Sequence, residues 1–186
     1  IKIAGEHWFT FLFISPIRRV ISSYHVAGHR DTYNAAVAIK EAIRTIPESS
    51  SEEENITIVS DANPSYQSAI HYINEKRKSI NQAPKKIINI KVVGLQNLDE
   101  VSEQNRPFKQ LIERLNRTYK FHIRPAGGFK TLNGAVTLTT LFVTYYNFMR
   151  PHLSLGYEVP VPIPAIENVY TIQDKWSEVL NLSLAL

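Results

Sequence analysis

Two apolar runs, residues 8–14 and 19–26, stand on either side of a Ser15-Pro16 break, and together they constrain the fold more than any other feature. The first, Trp8-Phe9-Thr10-Phe11-Leu12-Phe13-Ile14, reads as a buried strand. The second alternates, with Val20, Ser22, Tyr24 and Val26 against Ile21 and His25, as a strand does when its faces differ. A strand hairpin is therefore expected first. After it the period changes. Asp31 or Thr32 can cap a helix that runs through Ala35, Ala36, Ile39 and Ile43 to Pro47. Ile56-Thr57-Ile58-Val59-Ser60 is a short buried strand ending at Asp61, and Pro64 opens a helix holding Tyr66, Ala69, Ile70 and Ile73. Residues 87–93 form a further strand, stopped by Gly94. Strands alternating with helices predict an α/β fold.

The second half is more ambiguous. A linker leads to a basic helix that ends at the Gly127-Gly128 break. Residues 132–149 are apolar but rich in Thr and Val, so propensity does not choose between helix and strand. Residues 151–164 carry four prolines and read as an extended tail. Residues 174–184 suit an amphipathic helix that docks on the core or on another subunit. This divides the chain into a domain over 1–150 and a tail over 151–186.

With 186 residues, 44% hydrophobic and 20% charged, the chain can bury a full core and is not of the disordered class. The absence of cysteine excludes disulfides and thiolate metal sites. No apolar run approaches the roughly 20 residues of a membrane helix, and Ile1-Lys2-Ile3-Ala4-Gly5-Glu6 lacks a signal-peptide layout. Residue 1 is not Met, so the chain is expected to begin inside a longer reading frame. The histidines show no zinc-ligand spacing.

The net charge of +4 is segregated. Residues 47–54 are acidic and Ser-rich, whereas positive charge gathers at Lys76-Arg77-Lys78, at Lys85-Lys86 and along 106–130. Such segregation favours a polyanion on one face, although solubility alone accounts for a charge of this size nearly as well. Between Asn105 and Lys130 the bases are Arg106, Lys109, Arg114, Arg117, Lys120, Arg124 and Lys130, and the only acid is Glu113. A solvated salt-bridge helix would alternate signs. A lone carboxylate among bases suggests a cationic partner of its own, such as a metal ion, beside a surface that holds phosphates. Phe108, Leu111, Ile112, Leu115 and Tyr119 share a core-facing stripe, and Glu113, Arg117, Lys120 and Arg124 share another. An ordinary amphipathic helix with a basic outer face fits the same spacing.

Asp61 is the sharpest local site. A carboxylate at the carboxyl end of a buried strand is where open α/β sheets place ligand chemistry; it is also where an Asp caps the next helix. If Asp61 and Glu113 meet, they form half of a carboxylate site for Mg²⁺, a hard cation that takes oxygen ligands and binds phosphates.

The motifs come in a telling order: Val-Ser-Asp61-Ala-Asn-Pro-Ser-Tyr, then Ile112-Glu113-Arg-Leu-Asn116-Arg-Thr-Tyr-Lys120, then Arg124-Pro125-Ala-Gly-Gly128-Phe129-Lys130, then Tyr146-Asn147-Phe-Met-Arg150-Pro151-His152-Leu-Ser154-Leu155. This order resembles the DDE transposases of prokaryotic insertion sequences, over nearly the whole chain. Their catalytic domain is similar to the retroviral integrase core, so the resemblance implies a ribonuclease H-like mixed sheet flanked by helices. It implies that Asp61 is the second catalytic Asp and Glu113 the third carboxylate, both holding Mg²⁺, with Mn²⁺ as a substitute. Lys120 would contact the DNA end. By helical spacing Arg117 and Arg124 would line the same phosphate track, with Arg114 and Lys130 as further DNA-binding residues. The implied partners are transposon ends and target DNA, in a homo-oligomer without a membrane, at the nucleoid of a prokaryotic cytoplasm.

The sequence departs from that pattern twice. The first catalytic Asp belongs to the first strand, of which Ile1-Lys2-Ile3 looks like the remainder, so it is expected a few residues before Ile1. Asp31 is a poor substitute, because it starts a helix. The interval from Asp61 to Glu113 is also wide. The extra residues fit 92–107, where Asp99, Glu100 and Glu103 are rejected as rivals for the third carboxylate because they lie in polar sequence without a helical stripe. Ser15 stands where relatives more often show an acidic turn residue, a loop variation. The resemblance implies metal-dependent DNA strand cleavage and transfer, and near-inactivity for a chain lacking the first Asp. The alternative is a non-catalytic DNA-binding or assembly module from a decayed transposase. A junction resolvase of the same fold is a further class, against which the Tyr146–Leu155 run argues.

Overall fold

The hairpin forms where the apolar runs place it. In the computed structural model, which describes residues 1–46, 55–61, 63–79, 86–92 and 99–185, strand β3 (Phe9–Ile14) pairs antiparallel with β4 (Ile21–Ala27). Ahead of it lie two short strands, β1 (Lys2–Ile3) and β2 (Glu6–His7), also antiparallel. Side chains alternate across β3, as the period of two requires. Phe11 and Phe13 face one core with Ala35, Ile39, Ala69, Ile70 and Ile73. Leu12 and Ile14 face a second core with Leu115, Tyr119, Ile123, Phe142 and Tyr146.

Helices α1 (Thr32–Arg44) and α2 (Pro64–Ser79) cover the first face. The α1 contact face is mostly alanine, with Ala35, Ala36, Ala38 and Ala42 buried beside Ile39. Small side chains let the two helices pack closely. Asp31 caps α1, accepting the Asn34 N–H at 2.8 Å, which fits its expected role as a helix starter. Strands β5 (Ile56–Ser60) and β6 (Ile87–Lys91) pair in parallel, with α2 as the crossover between them.

Hydrogen bonding groups the described strands into three two-stranded sheets, β1–β2, β3–β4 and β5–β6. The chain is mixed α/β, as expected, and among the described residues these pairs are not joined into a single mixed sheet. Among the described residues, β3 and β5 each keep one edge without a strand neighbour.

The second face is covered by α3 (Glu100–Ile123) and α4 (Leu132–Thr144). Within the expected linker over 92–107, the part over 99–107 is corrected. Asp99 caps α3, accepting the Ser102 N–H at 2.8 Å, so Glu100 and Glu103 belong to its first turn and Pro107 lies inside the helix. Acids in a first turn favour the helix dipole, and Pro107 leaves the turn before it lacking one hydrogen bond. The core stripe also needs correction, because Phe108 is 40% exposed, while Leu115 and Tyr119 are buried as expected.

The ambiguous segment 132–149 is helical. Thr139 and Thr140 return their hydroxyls to the carbonyls of Ala135 and Val136, which for the buried Thr139 satisfies a group that would otherwise be costly against a core. The last turn, Tyr145–Met149, widens to a π-helix before Pro151 ends it. The tail is not simply extended. A short 3-10 turn spans Leu153–Leu155, His152 N–H donates to the Glu158 carbonyl at 3.0 Å, and Val161 N–H donates to the Asn147 carbonyl at 2.9 Å. Helices α5 (Pro164–Glu167) and α6 (Ile172–Leu184) follow; α6 buries none of its residues. The acidic loop 47–54, Lys85 and Gly94 lie outside the described residues. Among the described residues, no helix is long and apolar enough to cross a membrane.

Candidate active site

A cleft of about 740 Å³ opens between the two faces, lined by all of β3, by Thr57 to Asp61, by Arg30 and Tyr66, and by one side of α3. Two of its walls are the strands whose outer edges lack a partner.

Asp61 follows the last residue of β5, at the carboxyl end of the parallel pair. The capping question is answered by its neighbour. Asp61 Oδ1 accepts the Asn63 N–H at 3.2 Å, and Asn63 Oδ1 accepts the Ser65 N–H at 2.9 Å inside α2. Asn63 therefore caps the helix, with Pro64 at its first position. Asp61 Oδ2 is left for Arg30, whose Nη2 donates to it at 2.6 Å. The Arg30 guanidinium also lies 5.5 Å from the centroid of the Tyr66 ring. Burial works to lower the Arg30 pKa, but Asp61 and Tyr66 outweigh it and hold it above the ordinary value. Burial pushes the Tyr66 hydroxyl up, against the pull of Arg30.

Glu113 reaches the same cleft from α3, with Lys109, Asn116 and Lys120 beside it. These four fall at i, i+4, i+7 and i+11, a single helical stripe. Ile1 N–H donates to the Trp8 carbonyl at 3.0 Å, and Trp8 N–H returns to the Ile1 carbonyl at 2.9 Å. Farther along, Gly127 and Gly128 adopt φ of 65° and 133°, a left-handed turn that suits glycine. It brings Phe129 alongside Ile3, with Phe129 N–H to the Lys2 carbonyl at 2.9 Å and Ala4 N–H to the Phe129 carbonyl at 2.7 Å.

The structure therefore brings Asp61, Glu113 and Lys120 to one cleft. It places Arg114, Arg117, Arg124 and Lys130 outside the lining, all exposed on α3 or just beyond it. Arg117 lies on the side of Glu113 turned away from Asn116, which the four-residue spacing alone does not reveal. Arg30 is the residue that sequence reasoning missed; no local signal links it to Asp61. Lys109 and Asn116 were recoverable from their helical spacing to Glu113. Glu100 and Glu103 are not in the cleft lining, and Asp99 is committed to its cap, where Ser102 holds its carboxyl below the ordinary value.

Asp61 and Glu113 are oxygen donors of the type that hard divalent cations take, and Asp61 already carries a cation, the guanidinium. Both line the one cleft, and their donor chemistry suits such a cation. Among the described residues, no group of three or more acids or histidines completes a metal site.

A family model described as an integrase core domain matches residues 102–160. The matched stretch carries Glu113, Lys120 and the Tyr146–Leu155 run, but ends well short of Asp61 in the other direction. No curated protein matches the chain, and no solved structure does. The family match supports an integrase- or transposase-like catalytic core, of the kind that acts on DNA as a polynucleotidyl transferase.

Proposed function

We propose that this chain is the catalytic core of a DDE transposase of a prokaryotic insertion sequence, with the core over 1–150 and an appended tail over 151–186. The observation that carries this reading is the convergence of Asp61 and Glu113 on one cleft, although they belong to different elements far apart in sequence. Asp61 and Glu113 would hold Mg²⁺, which when bound supplies charge stabilisation and activation of the attacking oxygen in phosphodiester cleavage and strand transfer. The chain's own side chains do the rest. Lys120 at the cleft wall holds a DNA phosphate as a point charge, and Asn116 offers an amide to the same backbone. Arg117, Arg124, Arg114 and Lys130 extend the basic surface beyond the cleft and bind the flanking duplex, with the salt dependence such contacts bring.

The third carboxylate, the first in chain order, belongs to a strand ahead of Ile1. The geometry of the N-terminus supports this placement. Trp8 turns its N–H and carbonyl toward Ile1, and alternation gives Thr10 and Leu12 the same edge. A continuation of β1 in the register Lys2↔His7 runs along that edge and into the cleft, between the unpartnered edges of β3 and β5. Open edges are templates for exactly one more strand's hydrogen bonds. Such a strand would join the two sheets into one.

The residues facing Thr10 and Leu12 would point to the α3 side, since Leu12 packs there and Thr10 Oγ1 lies 3.4 Å from the Tyr119 hydroxyl. Reading the in-frame codons upstream of Ile1 tests this directly. An Asp or Glu opposite Thr10 or Leu12 is expected. A non-carboxylate at both positions, or a stop codon, transfers the chain to the alternative reading of a non-catalytic DNA-binding module. Residues 1–186 alone hold two of the three carboxylates, so they are expected to cleave no DNA in Mg²⁺ or Mn²⁺.

A further inference from the structure

Both carboxylate oxygens of Asp61 are engaged. Its Oδ1 accepts from the Asn63 backbone and its Oδ2 from Arg30, the latter at 2.6 Å, a length typical of a strong charge-assisted bond. The arginine is held from two sides. Its backbone directly precedes the α1 cap Asp31, and its guanidinium lies against the Tyr66 ring of α2. The neighbouring Asp31 instead turns Oδ1 to both nitrogens of Asn34.

The pair is not a buried structural ion pair. The Arg30 and Asp61 side chains are 32% and 47% exposed, and solvent-screened pairs of this kind are worth at most about 1 kcal/mol. Both residues line the cleft. A guanidinium so placed gives Asp61 a counter-ion that is directed yet cheap to remove.

We infer that Arg30 is a positioning residue for Asp61: in the cation-free protein it occupies the carboxylate oxygen that a divalent cation takes, so cation binding and release of Arg30 are one exchange. This rests on the reading of Asp61 as a metal ligand and adds to it a residue that sets the affinity and presents the carboxylate in its working orientation. Removing Arg30 relieves the competition. Loss of a residue with a merely structural role would weaken the site, whereas loss of Arg30 strengthens it.

The test is binding of Mn²⁺ alone, without DNA, measured from the free-ion EPR signal for the wild-type chain and four variants. Arg30→Gln is expected to bind Mn²⁺ about 3- to 5-fold more tightly, the factor that a screened ion pair corresponds to. Arg30→Lys, which restores the charge, returns the affinity toward wild type. Lys109→Gln removes a cleft cation outside the Asp61 ion pair and should raise the affinity less than Arg30→Gln does. Asp61→Asn should remove the site.

Unchanged or weaker binding in Arg30→Gln, or an equal rise in Lys109→Gln, overturns the exchange while leaving Asp61 a ligand. If Asp61→Asn binds Mn²⁺ as the wild type does, the metal-ligand reading itself fails, and the role of Arg30 goes with it.

Discussion

The Asn147 side chain meets the backbone of Ile21 with both ends of its amide: Oδ1 accepts the Ile21 N–H at 2.9 Å and Nδ2 donates to the Ile21 carbonyl at 3.0 Å. The two residues lie on the π-helical end of the α4 segment and on β4, and both are buried. The amide copies the hydrogen bonds of a neighbouring strand and satisfies backbone groups that water cannot reach. Asn147 also accepts Val161 N–H on its own carbonyl, so one residue ties the tail, α4 and the hairpin together. In the Tyr146–Leu155 run it is thus a fold-holding residue.

Asn147→Ala is expected to destabilise the chain by about 2–4 kcal/mol, because it strands a buried donor and a buried acceptor together. Asn147→Asp should be no better, since a carboxylate cannot donate to the Ile21 carbonyl. Urea denaturation measures both, and a loss below about 0.5 kcal/mol would place Asn147 outside the core of the structure.

A second buried polar link joins α3 to α4. The Tyr119 hydroxyl lies 2.8 Å from Thr139 Oγ1, and Thr139 donates to the Ala135 carbonyl at 2.7 Å. Tyr119→Phe removes this bond and the longer one to Thr10 Oγ1 but keeps the ring against Phe142, 5.2 Å away between centroids. The expected cost is about 1 kcal/mol, several-fold less than Tyr119→Ala, which also opens a cavity. Thermal melts of the two variants compare these terms.

Acid should weaken the packing around the tail. Burial, followed by the charge of Arg150, lowers the pKa of His122. Burial also lowers that of His152, with Arg150 and Arg19 adding to it against a hydrogen bond to Tyr146 that raises it. A base whose folded pKa is depressed resists protonation in the native state, while the unfolded chain takes up protons from its ordinary value of about 6.5 downward. Stability is therefore fullest above that value and falls as the pH drops through the folded values. Denaturation midpoints between pH 7.5 and pH 5 should decline, and the decline should be shallower in His152→Asn. An equally steep profile in that variant would remove His152 from the account.

Lys120 and Arg117 separate the cleft from the wider basic face. If Lys120 holds a phosphate, Lys120→Ala lowers DNA affinity and reduces the slope of log affinity against log salt by about 0.9. The same change at Arg117 tells whether the phosphate track passes around α3. Fluorescence anisotropy over a salt series reads both, and a slope unaltered by Lys120→Ala contradicts its placement on the DNA backbone.

Much of this arrangement was legible before any coordinates, because its signals are local. The β-branched run ending at Asp61, with Pro64 behind it, fixed a strand, a turn and a helix start from neighbouring residues alone. The start of α3 was misread for the opposite reason. Polar sequence from Asp99 to Pro107 shows no apolar stripe, and the proline masks an Asp99 cap whose partner Ser102 stands at the right spacing. The Thr-rich α4 needed the carbonyls of Ala135 and Val136 to become a helix face, a choice that propensity leaves open. At the site, Glu113 stood out as a lone acid and Asp61 as a strand-end acid. Arg30 did not, because its ion pair with Asp61 joins residues distant in sequence that meet only in the folded chain. The separate sheets were equally illegible, since strand patterns do not say which edges remain open.

The most direct test of the central claim is Mg²⁺-dependent cleavage and strand transfer by the protein in its full natural reading frame, on DNA carrying the ends of its own element. Asp61→Asn and Glu113→Gln should each abolish both reactions while shifting the melting behaviour little, since the exposed Asp61 and half-buried Glu113 carry little of the core. Full activity in either variant would contradict the assignment of this cleft as the place where the DNA is cut.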